Sequence, residues 1–243
     1  MDHNFCLKNK NFKFLACFRV INDGAHSVEE PTENWDEPPV SASSKFHTLP
    51  IPESKIVLID TVSGFSNFLN VISNGVFIVG VDSEWKPSIG VKKCDLALVQ
   101  VATFENVFIL DVLALKPVTP EVMWEQFAFK LFGNTDILKL GFGLFGDLAI
   151  MKETLPGFHK IKLTGRGFMD LIVLWKSLIA DHNFVFPYSS LPDSGSTSES
   201  LTRLIELCFG EKLDKSDQFS NWERRPLRRS QILYAGMLSV ISS

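Results

Sequence analysis

Two carboxylates close an apolar run in this chain, where Phe77-Ile78-Val79-Gly80-Val81 leads into Asp82-Ser83-Glu84-Trp85. In a β-strand, residues two apart share a face, so Asp82 and Glu84 project side by side. Like charges that close repel and raise each other's proton affinity unless a cation lies between them. Such a pair at the end of a buried strand points to a divalent metal; the alternative is a solvated strand end paired with Lys86 or Lys93. A third acid, Asp147, follows the turn Gly141-Phe142-Gly143 and falls in the first turn of a candidate helix. Taken alone it reads as a cap, because helix amides and dipole favour negative charge there.

The elements that must position these acids follow from apolar patterning. Ile56 to Asp60 reads as a short strand, and Ser63 as the N-cap of a helix carrying Phe65, Phe68, Leu69 and Ile72 on one face. Strands are predicted over Val76–Ser83, Leu96–Thr103 and Val107–Val112, with short connections that favour antiparallel neighbours. A helix over Pro120–Phe132, a strand over Ile137–Phe142 and helices over Leu144–Glu153, Leu171–Ile179 and Glu199–Phe209 come next. A last helix starts near Leu227–Ser230 and runs to the C-terminus. Strands first, then alternating strands and helices, predict an α/β fold with a mixed sheet flanked by helices.

Composition sets the bounds. With 243 residues, 45% hydrophobic and 21% charged, the chain suits one sizeable α/β domain with a decorated end, or two small domains. The segment from His26 to Lys55 is rich in Glu, Pro and Ser and cannot bury enough apolar surface to offset its ordering entropy. Residues 1–54 are therefore read as a flexible lead-in and 55–243 as the folded domain. Cys6, Cys17, Cys94 and Cys208 show no paired spacing, which argues against zinc or a disulfide framework and for a reducing compartment. No apolar run approaches membrane-spanning length. The first twenty residues mix Phe and Leu with Lys8, Lys10, Lys13 and Arg19 rather than forming a secretory signal. The cytoplasm or nucleus is the expected location.

Together, Val-Gly-Val-Asp-Ser-Glu-Trp-Lys-Pro at 79–87, Lys-Leu-Gly-Phe-Gly-Leu at 139–144, the turn at Asp147 and Gln231-Ile232-Leu233-Tyr234-Ala235 resemble a known family. They look like the RNase D and Werner-type 3′–5′ exonucleases, the DEDDy group of the RNase H-like fold. The run from Leu213 to Arg228, with Gln-Phe-Ser-Asn-Trp-Glu-Arg-Arg-Pro-Leu, resembles the Nibbler or mutator-type branch. The resemblance spans about Lys55 to Ala235. It implies two-metal hydrolysis of phosphodiester bonds at the 3′ end of single-stranded RNA or DNA. Asp82 would bridge both ions, Glu84 would hold one, Asp147 would support the second, and Tyr234 would orient the attacking water. Hard oxygen donors without thiols favour Mg²⁺ or Mn²⁺.

The departure matters as much. In that family the tyrosine is followed four residues later by a fourth carboxylate, whereas here Tyr234-Ala235-Gly236-Met237-Leu238 places Leu238 there. An isobutyl group cannot coordinate a cation, so impaired activity is expected, and the family's last helix is expected to be truncated. A catalytically inactive nucleic-acid- or protein-binding module of the same fold stays open. The formal net charge of −4 gives no global attraction to nucleic acid, so contact must be local. Arg224, Arg225, Arg228 and Arg229 beside Trp222 read either as a phosphate-contacting edge with a stacking aromatic or as a solvated turn with Trp222 in the core. Trp85 and Phe142 flank the acids and read either as wedges against a terminal base or as core.

Overall fold

In the computed structural model, residues 52–85, 95–189 and 200–242 are described, with side chains given to 239. Most of the 1–54 lead-in and the loop around Pro192 and Gly195 lie outside these residues. The larger of two compact units takes in Thr48–Asn183 and Asp214–Ser243. Its centre is a six-stranded sheet in the order β1-β4-β3-β2-β5-β6. The strands are β1 (Ile56–Ile59), β2 (Ile78–Trp85), β3 (Leu96–Ala102), β4 (Val107–Asp111), β5 (Leu138–Gly141) and β6 (Phe168–Asp170). β2, β3 and β4 pair antiparallel, as the short connections predict, while β1 joins β4, and β5 joins β2 and β6, in parallel. The sheet is mixed, as expected.

Burial explains this order. β3 and β4 are buried along their whole length and are shielded on both sides, whereas β1 at the edge keeps Val57 and Leu58 exposed. Such continuous apolar runs are the signature of strands covered on both faces. One covering layer holds α1 (Val62–Ile72), the four-residue α2 (Val112–Leu115), α3 (Glu121–Phe127) and α4 (Leu144–Thr154). The phenylalanines concentrate there: Phe65 lies 4.7 Å from Trp124, Phe68 5.1 Å from Phe108 and Phe132 5.0 Å from Phe158 between ring centres. Rings at these separations gain quadrupole attraction beyond the area they bury.

Several local expectations are corrected. Thr61, not Ser63, caps α1, its hydroxyl accepting from the Gly64 amide at 3.2 Å; Ser63 already lies inside the helix. The helix predicted to Phe132 ends at Phe127 and continues as a π-helical turn over Ala128–Phe132. β6 was not anticipated, since three residues carry no readable alternation. It is tied to β5 by the buried Lys139, whose Nζ donates to the carbonyls of Asn134 (2.7 Å) and Ile137 (2.8 Å) and lies 4.4 Å from the Phe168 ring centre. Burial draws the Lys139 pKa down to about 8.

α5 (Leu171–His182) follows β6. The smaller unit includes α6 (Leu201–Phe209), capped by the Ser200 hydroxyl on the Arg203 amide. The last helix, α7 (Arg229–Ser242), packs across β2, β3 and β4. No helix among the described residues is long and apolar enough to cross a membrane.

Candidate active site

The acids meet at the C-terminal end of β2. Asp82 and Glu84 lie in cross-strand register with Gln100 and Leu98 of β3, and the register slips between Glu84 and Trp85. Beside them, β5 ends at Gly141. A side-chain carbon there would stand 2.8 Å from the Val81 carbonyl oxygen and 2.9 Å from Leu144, so only glycine lets the turn lie against β2. Gly143 then adopts φ +73°, in the left-handed region, and starts α4. Its amide donates to Asp170 Oδ1 at 3.1 Å, and the same oxygen accepts from Ile172 N at 2.9 Å. One carboxylate thus joins the start of α4 to the start of α5.

This turn delivers Asp147 to the pocket. A cavity of about 330 Å³ is lined by Asp82, Ser83, Glu84, Trp85, Phe142, Asp147, Tyr234 and Leu238, together with Gln218 and Phe219. The three predicted acids, Tyr234, Trp85, Phe142 and the substituted Leu238 therefore share one space. Ser83 and the 218–219 pair were not anticipated. Alternation sends Ser83 to the opposite face, where its hydroxyl donates to Asp147 Oδ1 at 2.5 Å.

The electrostatics reflect crowding. Desolvation, then repulsion from Asp82 and Asp147, pushes Glu84 up to about 9. Desolvation lifts Asp147 to about 7 despite the Ser83 hydroxyl pulling the other way. Asp82, open to the cavity but enclosed elsewhere, is raised by desolvation and by Asp147. Burial and then the charges of Glu84 and Asp82 raise Tyr234 as well, so its phenol stays protonated at neutral pH.

Three arginines of the 224–229 run pair with carboxylates of the protein itself. Arg225 forms a two-pronged ion pair with Asp111, with Nη2 to Oδ1 at 2.7 Å, and also donates to the Trp222 carbonyl at 2.6 Å. Arg228 pairs with Asp217 at 2.5 Å and Arg229 with Glu53 at 2.5 Å. Arg224 is exposed, and none of the four lines the cavity. Trp222 is fully buried, its ring 6.1 Å from that of Tyr234, so it anchors core rather than stacking on a ligand.

A mixed sheet ending in acids, faced by a helix-borne tyrosine, defines the RNase H-like exonuclease class. A family model described as a 3′-5′ exonuclease matches residues 56–237, and the chain belongs to that family. It is 34% identical over 220 residues to the exonuclease mut-7 homolog of Aedes aegypti, a match covering 89% of this chain. The chain spans only 29% of that relative's length. The crystal structure of the Aedes aegypti Nibbler EXO domain superposes with a TM-score of 0.73 at 33% identity, covering 81% of this chain and 87% of that one. Escherichia coli RNase D shares the fold, with a TM-score of 0.56 at 19% identity over 76% of this chain and 42% of its own. The resemblance to the Nibbler and mutator branch is borne out, and the chain carries a 3′-5′ exonuclease domain of that type.

Proposed function

We propose that this domain removes nucleotides from the free 3′ end of single-stranded RNA or DNA with the help of two Mg²⁺ or Mn²⁺ ions, at a rate reduced by Leu238. The observation that carries the reading is the shared cavity of Asp82, Glu84, Asp147 and Tyr234, with carboxylates whose proton affinity is raised by desolvation and mutual charge.

The donor chemistry fits hard divalent ions: every polar group contributed by the three acids and Ser83 is an oxygen. Among the described residues, no group of three or more His, Cys, Asp or Glu side chains could hold a metal ion as they stand. By the family resemblance, Asp82 and Glu84 would hold the ions, with Asp147, held by Ser83, supporting one of them. Bound there, divalent ions would supply an activated water and charge compensation for the leaving 3′ oxygen. Tyr234, kept neutral by its surroundings, would orient that water by hydrogen bonding rather than remove its proton.

Leu238 in the cavity wall also supports a second reading, a binding module that holds nucleic acid without cleaving it. A 5′-labelled oligonucleotide incubated with Mg²⁺ or Mn²⁺ separates the two. Stepwise shortening that disappears in Asp82→Ala supports the enzyme. Retention of the label on full-length strand, with binding intact, overturns it in favour of the module.

A further inference from the structure

We propose that Gln100 is a positioning residue for Asp82, its side-chain amide donating to the carboxylate and fixing it toward the ions; the inference rests on the ion-site reading above. Gln100 is the one polar residue of β3, in the run Leu-Ala-Leu-Val-Gln-Val-Ala. It is completely buried, and neither Nε2 nor Oε1 has a hydrogen-bond partner among the described residues. An amide stripped of water and left unpaired weakens a fold, and a hydrocarbon of the same shape would pack better. Packing therefore does not account for a glutamine here.

Register determines which group the amide can serve. Gln100 stands directly opposite Asp82 of β2 on one side and Ile109 of β4 on the other. Directly opposed residues share a face with their Cβ atoms about 4.5–5.5 Å apart, so rotation of the glutamine side chain brings Nε2 to the Asp82 carboxylate. Ile109 offers only hydrocarbon. Asp111, diagonal to Gln100, already accepts from Arg225 and from the Ala114 amide. On α7, which covers this face, the buried Ser239 gives its hydroxyl proton to the Gly236 carbonyl at 3.1 Å. Glu84 lies one diagonal step farther, opposite Leu98. Asp82 is the nearest claimant.

A carboxylate shared between two cations must present both oxygens in a fixed orientation, and hydrogen bonds from outside the ion site supply it. Asp82 receives a backbone hydrogen bond from Ser83, and the Gln100 amide adds a donor from the neighbouring strand. Being uncharged, that donor holds the carboxylate without competing with cations for it, as an arginine or lysine would.

The test compares the full chain with Gln100→Met, which keeps side-chain length but has no donor, and with Gln100→Leu. Without ions, both variants are expected to raise Tm by about 3 °C, because an unpaired amide is removed. Mn²⁺ alone, titrated by electron paramagnetic resonance, is expected to bind both about tenfold more weakly than wild type. A glutamine serving only structure gives the opposite pattern, a lowered Tm with Mn²⁺ affinity unchanged. Either of those results, or a wild type that binds no Mn²⁺, overturns the proposal. If wild type shortens oligonucleotides while the variants bind Mn²⁺ as tightly, the positioning role falls and the nuclease reading stands. Weaker Mn²⁺ binding by the variants of a wild type that never shortens a strand does the reverse.

Discussion

Leu238 presents hydrocarbon to a cavity otherwise edged by Asp82, Glu84 and Asp147. Exchanging it for aspartate would add a hard oxygen to the proposed ion site, so Leu238→Asp is expected to raise the shortening rate about tenfold, the scale on which metal-site partners act. An unchanged rate in a cooperatively folded variant would remove Leu238 as the limiting defect. Ser83 acts on Asp147 in the opposite sense to burial, lowering its proton affinity through a direct hydrogen bond. Without that bond Asp147 holds its proton to higher pH, and a protonated carboxyl cannot support a cation. The acid limb of the pH–rate profile of Ser83→Ala should therefore move up by about one unit. Asp82 and Glu84 were readable because strand alternation puts them together, and Asp147 because glycines mark its turn. Ser83 was unreadable for the same reason: alternation places it on the face away from Asp82 and Glu84, with Val79 and Val81, and nothing in the sequence says that the helix bearing Asp147 packs on that face.

The segments between elements taught less through sequence. Four arginines within six positions look like a polyanion site, yet three of them, Arg225, Arg228 and Arg229, pair with Asp111, Asp217 and Glu53, which lie 114, 11 and 176 positions away. Adjacency along the chain says nothing about which carboxylates claim a charge. The pairs also differ in worth. The Asp111 side chain is only 4% exposed, and it caps α2 by accepting from the Ala114 amide. Arg225→Met would strand a buried carboxylate and is expected to cost about 3 kcal/mol in urea unfolding. Arg229 and Glu53 face solvent, so Arg229→Ala should leave the midpoint where it is. β6 and the π-turn escaped notice because three to five residues cannot display a period, whereas the long helices and the central strands could.

For the molecule as a whole, the proposed ion site would tie stability to divalent cations. Glu84 rises from 4.5 to about 9 and Asp147 from 3.8 to about 7 on folding. Between the lower and upper values the folded protein keeps protons that the unfolded chain has released. Without ions, stability from these groups is therefore greatest on the acid side and falls as pH climbs through that window. Divalent ions replace the protons, so Mg²⁺ or Mn²⁺ should raise Tm strongly near pH 8 and little below about pH 5, with proton release on binding. Calorimetry with and without EDTA at both pH values checks this; an equal effect at both would contradict it.

Asp170 never reaches the cavity, yet its single oxygen fastens the turn from which Asp147 springs. Damage there would leave a molecule that melts as one body and keeps every side chain of the proposed catalytic set, but aims one of them wrongly. Scoring variants by distance from the cavity would pass over Asp170, although the aim of Asp147 depends on it.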